Sequence, residues 1–306
     1  MRIGEDGEAR LRVGRGSVLV RWASVSDVGR SREVNEDSVV VAGPVFSVAD
    51  GMGGHSAGDI ASAAVVERLD ALGTDAGARD AALGPQDVEL ALSRAVADID
   101  ERAGNSELGT GTTATGVVLT ATADGVPSWL VFNIGDSRVY ELRDEALRQV
   151  TVDHSVVQEL LSAGRITPEK AEVHPHANVM TRAVGFNDAP SPDYVLLDVV
   201  PGQRLIACSD GLTKELTDVG IGHFTAAAGD PAAAVADLLR RALDNSGRDN
   251  VTVLVVEVLE LDEGGSTVSA AEGTDTSPRG VGGLADAPAE PASTGGVDED
   301  TNPSTR

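Results

Sequence analysis

Acidic side chains recur at the lips of apolar runs. Asp50 follows Val45-Phe46-Ser47-Val48-Ala49, Asp136 follows a run ending Asn133-Ile134-Gly135, Asp210 follows Leu205-Ile206-Ala207-Cys208-Ser209, and Asp249 stands just before the run that starts at Val251. A carboxylate at the mouth of a buried strand is costly to desolvate unless it binds something. Several gathered together repel one another unless a cation lies between them. Each acid taken singly reads first as a turn residue or a helix cap. Their recurrence at four strand ends points instead to a hard cation held by oxygen, such as magnesium, manganese or calcium. Zinc would call for cysteine and histidine.

Glycine strengthens the pattern. Asp50-Gly51, Gly135-Asp136 and Asp210-Gly211 each put a residue without a side chain where a backbone carbonyl or a ligand must come close. The segment Asp50-Gly51-Met52-Gly53-Gly54-His55 then places a histidine five residues past a carboxylate. A lone loop histidine is more often structural, but beside cations an imidazole with a pKa of about 6.5 can protonate a leaving oxygen at neutral pH. Upstream, Arg32-Glu33-Val34-Asn35-Glu36-Asp37 sets an arginine near further carboxylates. Read alone it is a solvated turn; read with the acids it is an anion clamp beside a cation site, since the guanidinium fork matches two phosphate oxygens.

The elements that must carry these residues are mostly strands. Apolar runs rich in Val and Ile predict strands over Val18 to Trp22, Ser38 to Val41, Val45 to Ala49, Thr113 to Thr120, Trp129 to Ile134, Arg138 to Leu142, Arg204 to Cys208 and Val251 to Leu259. Helical periodicity marks Ile60 to Leu72, and Val88 to Ala103 with Val88, Leu92, Ala95 and Ile99 on one face. It also marks Val156 to Ala163, where Ser155 and Gln158 suit a capping box closed by Gly164. A further helix starts at Asp230 as N-cap with Pro231 at its first position and runs to about Leu243, turning Val235, Leu238, Leu239 and Ala242 inward. The order predicts sheets in the middle with helices outside.

Composition bounds the rest. The chain has 306 residues, 41% of them hydrophobic, with 49 acidic against 24 basic side chains and a net charge of −25. That balance repels a nucleic-acid backbone and favours a bound cation. Cys208 is the only cysteine, which excludes an internal disulfide and suits a reducing compartment, the cytoplasm. No stretch reaches the roughly 18 apolar residues that span a bilayer, and Glu5, Asp6 and Glu8 do not fit a secretion signal. From about Asp262 to Arg306 the chain lacks Phe, Tyr, Trp and Ile and is dominated by Gly, Ala, Pro, Ser, Thr and acids, so 262–306 is expected to be a disordered acidic tail after one domain over 1–261.

Read in order, the segments REVNED (Arg32 to Asp37), DGMGGH (Asp50 to His55), GTGTT (Gly109 to Thr113), GDSR (Gly135 to Arg138), DHS (Asp153 to Ser155), TRAVG (Thr181 to Gly185), SDG (Ser209 to Gly211) and RDN (Arg248 to Asn250) resemble successive motifs of the type 2C, or PPM, metal-dependent serine/threonine protein phosphatases, bacterial branch. The resemblance implies an α+β fold, a four-layer αββα sandwich with two central, mainly antiparallel sheets flanked by helices. It implies hydrolysis of phosphoserine and phosphothreonine by a water that a pair of manganese or magnesium ions activates, with a third, looser ion near Asp136. Asp50, the Gly51 carbonyl, Asp210 and Asp249 would hold the pair, Asp37 would add a carboxylate, and Glu36 is a weaker candidate for the same shell. Arg32 matches the arginine that binds substrate phosphate, and His55 the proposed general acid. Residues 165–187 occupy the place of the family's flap, which makes His174 and His176 flap or surface residues rather than ligands. Expected partners are phosphorylated proteins, whether Ser/Thr kinases or their substrates, with no nucleic acid, no membrane, and the chain a monomer engaged in signal transduction. The main alternative is a non-catalytic relative that binds phosphoproteins or a kinase, against which the full set of acids argues. Another two-metal hydrolase, such as a nuclease or nucleotidase, takes the aspartates without their order, and the net charge and lack of a basic, aromatic-rich stripe disfavour a nuclease. A calcium-stabilised structural protein would explain the acids but leave Arg32 and the order of the motifs unexplained.

Overall fold

The computed structural model describes residues 4–53, 57–103, 109–186 and 189–264. Its strands are β1 (Asp6–Val13), β2 (Gly16–Asp27), β3 (Asp37–Ala42), β4 (Val45–Met52), β5 (Gly111–Thr112), β6 (Ala114–Ala121), β7 (Pro127–Ile134), β8 (Arg138–Arg143), β9 (Ala146–Gln149), β10 (Asp193–Asp198), β11 (Arg204–Cys208) and β12 (Val251–Asp262). Its helices are α1 (Gly58–Arg79), α2 (Pro85–Ala103), α3 (Val156–Ser162), α4 (Pro168–Glu172), α5 (Asp210–Thr213), α6 (Asp218–Ala227) and α7 (Pro231–Asn245). Among the described residues no helix is long and apolar enough to cross a membrane.

Two antiparallel sheets lie face to face. One runs β1-β2-β12-β11-β8-β9 and the other β10-β7-β6-β4-β3, with β5 added beside β4. Between them Val18, Phe46, Leu119, Trp129 and Leu254 form an apolar filling. On one outer face α1 and α2 bury Ala61, Leu69, Leu92 and Ile99 against Val118 and Phe132. On the other, α6 and α7 set Ile221, Leu238 and Leu239 against Ile206, Val253 and Val255. The result is the αββα sandwich. Central strands covered on both faces read as unbroken apolar runs instead of alternating ones, which is why β7 and β12 stood out in the sequence.

The helix signals behave as their chemistry requires. Asp230 accepts from the Ala233 amide at 2.8 Å and Pro231 opens α7. Ser155 accepts from the Gln158 amide at 3.2 Å, but the Gln158 amide group turns to Ser162 Oγ, so only half of the expected capping box forms. The sequence does not announce β1, β5, β9, β10, α5 or α6. β1, β9 and β10 are edge strands whose residues are largely exposed or half-buried, leaving a weak apolar signal. α6 carries two glycines, and it is packing, not propensity, that holds it. β12 pairs Asp262 with Ser17, one residue past the expected domain boundary at 261. Of the expected tail, residues 265–306 lie outside the described residues.

Candidate active site

Adjacent strands deliver the acids to one edge of the sandwich. Asp37 opens β3 and stands directly across from Asp50 in the β3–β4 register. Asp210 follows β11 at the head of α5, and Asp249 precedes β12, the partner of β11. Asp136 follows β7. The charges feel one another: Asp50 is repelled by Asp37, Asp210 and Asp136, and Asp37 by Asp210 and Asp249. Burial first, and then this repulsion, push Asp37 and Asp136 up to about 7 and hold Asp50 well above the usual carboxylate range.

Each motif has a mechanical task in that gathering. Ser209 of SDG donates to Asp37 Oδ2 at 2.8 Å and accepts from the Thr252 amide at 3.0 Å, tying β3 to the β11–β12 pair. Asn250 of RDN accepts from the Glu36 amide at 2.9 Å and donates to the carbonyls of Val28 and Val34, both at 2.9 Å, which staples the REVNED loop to the start of β12. From GTGTT, Thr112 Oγ1 donates to the Asp50 carbonyl at 2.9 Å, and Thr113 Oγ1 accepts from the Asp50 amide at 2.8 Å. Asp50 is thereby fixed through its backbone, leaving its carboxylate free to act. In DHS, Asp153 receives both Nε and Nη2 of Arg138, and the His154 Nδ1 accepts from the Gly135 amide at 3.1 Å beside Asp136.

Two of the glycines are required by space. A Cβ on Gly51 would lie 2.0 Å from the Gly58 carbonyl oxygen, and one on Gly211 would lie 1.8 Å from that of Asn250. Neither neighbour is a flexible side chain, so both carboxylate turns depend on glycine for their closeness.

The cationic side of the site is formed by Arg32 and Lys214. Arg32 Nη2 lies 2.9 Å from Asp249 Oδ1. Lys214 Nζ lies 2.5 Å from Asp210 Oδ2 and 3.1 Å from Asp249 Oδ2. Burial alone would lower the Lys214 pKa, but the two carboxylates outweigh it and raise it. The motifs do not single out Lys214, although its place four residues after Asp210 on a helical turn is a signal legible in the sequence. These residues line a groove of about 1330 Å³, whose far wall is made by α3 and the 171–178 segment, including Val173 and His174. Cys208 is fully buried in β11, with its thiol pushed up to about 12 by burial, which removes it as a nucleophile.

The acids expected from the sequence are thus brought to one edge within electrostatic reach of one another, with Arg32 beside Asp249. Glu36 adjoins the cluster, and burial raises its pKa. Gly51 is buried in β4, next to Asp50. His55 lies outside the described residues. The donor set suits a hard divalent cation. It is all oxygen, its carboxylates crowd one another, and Asp37 Oδ1 is buried with no hydrogen-bond partner. Among the described residues, no three acidic, histidine or cysteine side chains already form a chelating group. The ammonium of Lys214 stands between two of the acids, Asp210 and Asp249.

Comparison with known proteins follows the same lines. The family model for protein phosphatase 2C matches residues 30–251. The serine/threonine protein phosphatase PstP of Mycobacterium tuberculosis is 36% identical over 248 residues, 81% of this chain and 47% of that protein. The chain thus spans about half the length of that relative. The serine/threonine phosphatase stp of Listeria monocytogenes is 33% identical, with 76% of this chain and 93% of that protein covered. Among solved structures, the Ser-Thr phosphatase MsPP of Mycobacterium smegmatis, in complex with cacodylate, superposes with a TM-score of 0.69 at 36% identity, covering 78% of this chain and 98% of that one. The catalytic domain of PstP in complex with two manganese ions gives 0.67 at 33% identity, covering 79% and 99%.

Proposed function

The chain belongs to the protein phosphatase 2C family, and from that premise we propose that it is a metal-dependent protein serine/threonine phosphatase acting on phosphoserine and phosphothreonine. The observation that carries the reading is the crowding of Asp37, Asp50, Asp136, Asp210 and Asp249 at one edge, with a buried, unpartnered carboxylate oxygen on Asp37 and a guanidinium alongside. Asp50, the Gly51 carbonyl, Asp210 and Asp249 are the proposed holders of two ions, manganese or magnesium. Asp37 and, more weakly, Glu36 complete the shell, and Asp136 serves a third, looser ion. The PstP catalytic domain with two manganese ions supports this number and kind. When bound, such ions would acidify a water and neutralise charge on phosphoryl oxygens.

The chain's own side chains have separate tasks. Arg32 is half exposed on the groove and held at Asp249, where its fork can meet two oxygens of an incoming phosphoryl group. Ser209 and Asn250 orient Asp37 and the Glu36 backbone, so that substrate meets a preformed set of acids. His55 is the proposed proton donor to the departing Ser or Thr oxygen. A phosphorylated protein, a Ser/Thr kinase or one of its substrates, is the proposed partner in a signalling role. We place the reaction in the cytoplasm and the working form as a monomer, with no role for nucleic acid or membrane; the net charge of −25 supports the first of those exclusions.

A second reading, a non-catalytic binder of phosphoproteins or a kinase, draws on Asp249, both of whose oxygens already meet cations of the chain itself. Hydrolysis of a phosphothreonine peptide with manganese, with magnesium and with a chelator separates the two. Phosphate release that the chelator stops is expected. Silence in all three from a folded protein would hand the case to the binder.

A further inference from the structure

The shortest ion pair of the acidic edge is made by a residue outside the motifs. Lys214 follows α5, its amide donating to the Asp210 carbonyl at 2.8 Å, and its side chain folds back over that turn. The ammonium then bridges Asp210 Oδ2 and Asp249 Oδ2, while Arg32 takes the other oxygen of Asp249. Lys214 and Asp249 also meet through a hydrogen bond at 3.1 Å, so the contact is directional as well as ionic. Two of the acids best placed to hold a divalent ion are thus already joined by a monovalent one belonging to the chain.

We infer that Lys214 is a built-in competitor for the metal: its ammonium occupies the oxygens through which Asp210 and Asp249 would hold a divalent ion, so that metal binding is an exchange of cations. The inference rests on the metal-dependent reading above. In the protein without metal, the ammonium offsets the repulsion between Asp210 and Asp249 and holds β11 and β12 together at that end. With a divalent ion of higher charge density bound by those oxygens, the ammonium of Lys214, already about 29% exposed in its side chain, would be freed to swing into the groove and recover water. The exchange costs affinity, because every metal bound must first break an ion pair. It also gives the protein a defined fold while it waits for metal.

Isothermal titration with Mn²⁺ of the full chain, of Lys214→Met and of Lys214→Gln tests this, with thermal melts in chelator and in saturating Mn²⁺. A neutral side chain is expected to tighten Mn²⁺ binding about three- to fivefold, the size of one partly screened ion pair. It should lower Tm in chelator and leave Tm in saturating Mn²⁺ equal or higher. Lys214→Arg, which keeps the charge, should bind Mn²⁺ as weakly as the parent. If both neutral variants are unfolded in chelator, Mn²⁺ alone should refold them, and failure to do so overturns the inference. A merely structural lysine would lower Tm equally with and without metal and leave the affinity where it was; that result also overturns it, while the phosphatase reading stands. Mn²⁺ binding to neither parent nor variants would remove both readings together.

Discussion

The two ends of the β11–β12 pair carry charge in opposite ways. At one end Arg204 faces Glu257 across the ladder, with both its Nε and Nη2 on Glu257 Oε1 at 3.0 and 2.9 Å. Its Nη1 caps the carbonyls of Thr225 and Ala228 at 2.7 and 2.9 Å, so every face of the guanidinium is spoken for. At the other end, five residues along β11 and beyond, Asp210 and Asp249 share Lys214 and lie among Asp37, Asp50 and Asp136. The first end balances one cation with one anion and two dipoles. The second holds more negative charge than its ion pairs compensate, and the excess is stored in raised carboxylate pKa values. A self-satisfied buried pair fastens a fold; an unsatisfied one invites a cation from outside.

Substitutions at the unbalanced end should therefore strike turnover hardest. Asp210→Asn and Asp249→Asn each remove a charge that the proposed metals require. Manganese-dependent hydrolysis of a phosphothreonine peptide should fall by at least about 10²–10³-fold, while the circular dichroism of the strands is kept. Full activity in both would break the assignment of that end. Arg32→Ala should act next in size, lowering kcat/KM about 10–100-fold, mainly through KM, because a charge-assisted contact to the phosphoryl group is lost.

Proton linkage sharpens the same contrast without substrate. Asp37 holds its proton to about 7 in the folded chain against 3.8 in the unfolded one. The folded state therefore binds protons more tightly, and its advantage, complete below about 3.8, is lost as pH rises through about 7. In chelator, Asp37→Asn should match the parent only near pH 3.5 and exceed it in Tm by a margin that grows from about pH 4 to about pH 7 and is full near pH 8. In saturating Mn²⁺ the order at pH 8 should reverse, since the metal needs the ionised carboxylate. Equal melting of the two proteins at both pH values in chelator would show that Asp37 carries no stored repulsion.

Much of the unbalanced end was legible in the chain itself, because acids at strand mouths with adjacent glycines form a local pattern and the motif order fixes their convergence. What the pattern could not supply is who holds the acids in place. Ser209 and Asn250 reach residues 172 and 214 positions away in sequence, and no local signal announces such partners. Lys214 was readable by its spacing from Asp210, but only the fold brings Asp249 to its other side. Central strands covered on both faces, such as β7, announced themselves by continuous apolar residues. β1 was hidden by alternating polar residues and by the exposure of a sheet edge.

The balanced end makes the smallest prediction for turnover and the clearest for stability. Arg204 and Glu257 have side chains only 11% and 13% exposed, so Arg204→Met strands a nearly buried carboxylate and leaves two carbonyls of the segment after β11 without a donor. Such a loss costs about 3 kcal/mol, or about 5–10 °C in Tm for a domain of this size. The pair lies at the far end of the ladder from Asp210 and Asp249, so kcat at 25 °C should not change. The double variant Arg204→Met/Glu257→Leu removes the orphaned charge as well and should recover part of the Tm, since a well-packed apolar pair can replace a buried ionic one. Were kcat to fall with Tm in the single variant and return in the double, the two ends would be coupled through β11 and β12, and the separation of fastening from chemistry along this ladder would be lost.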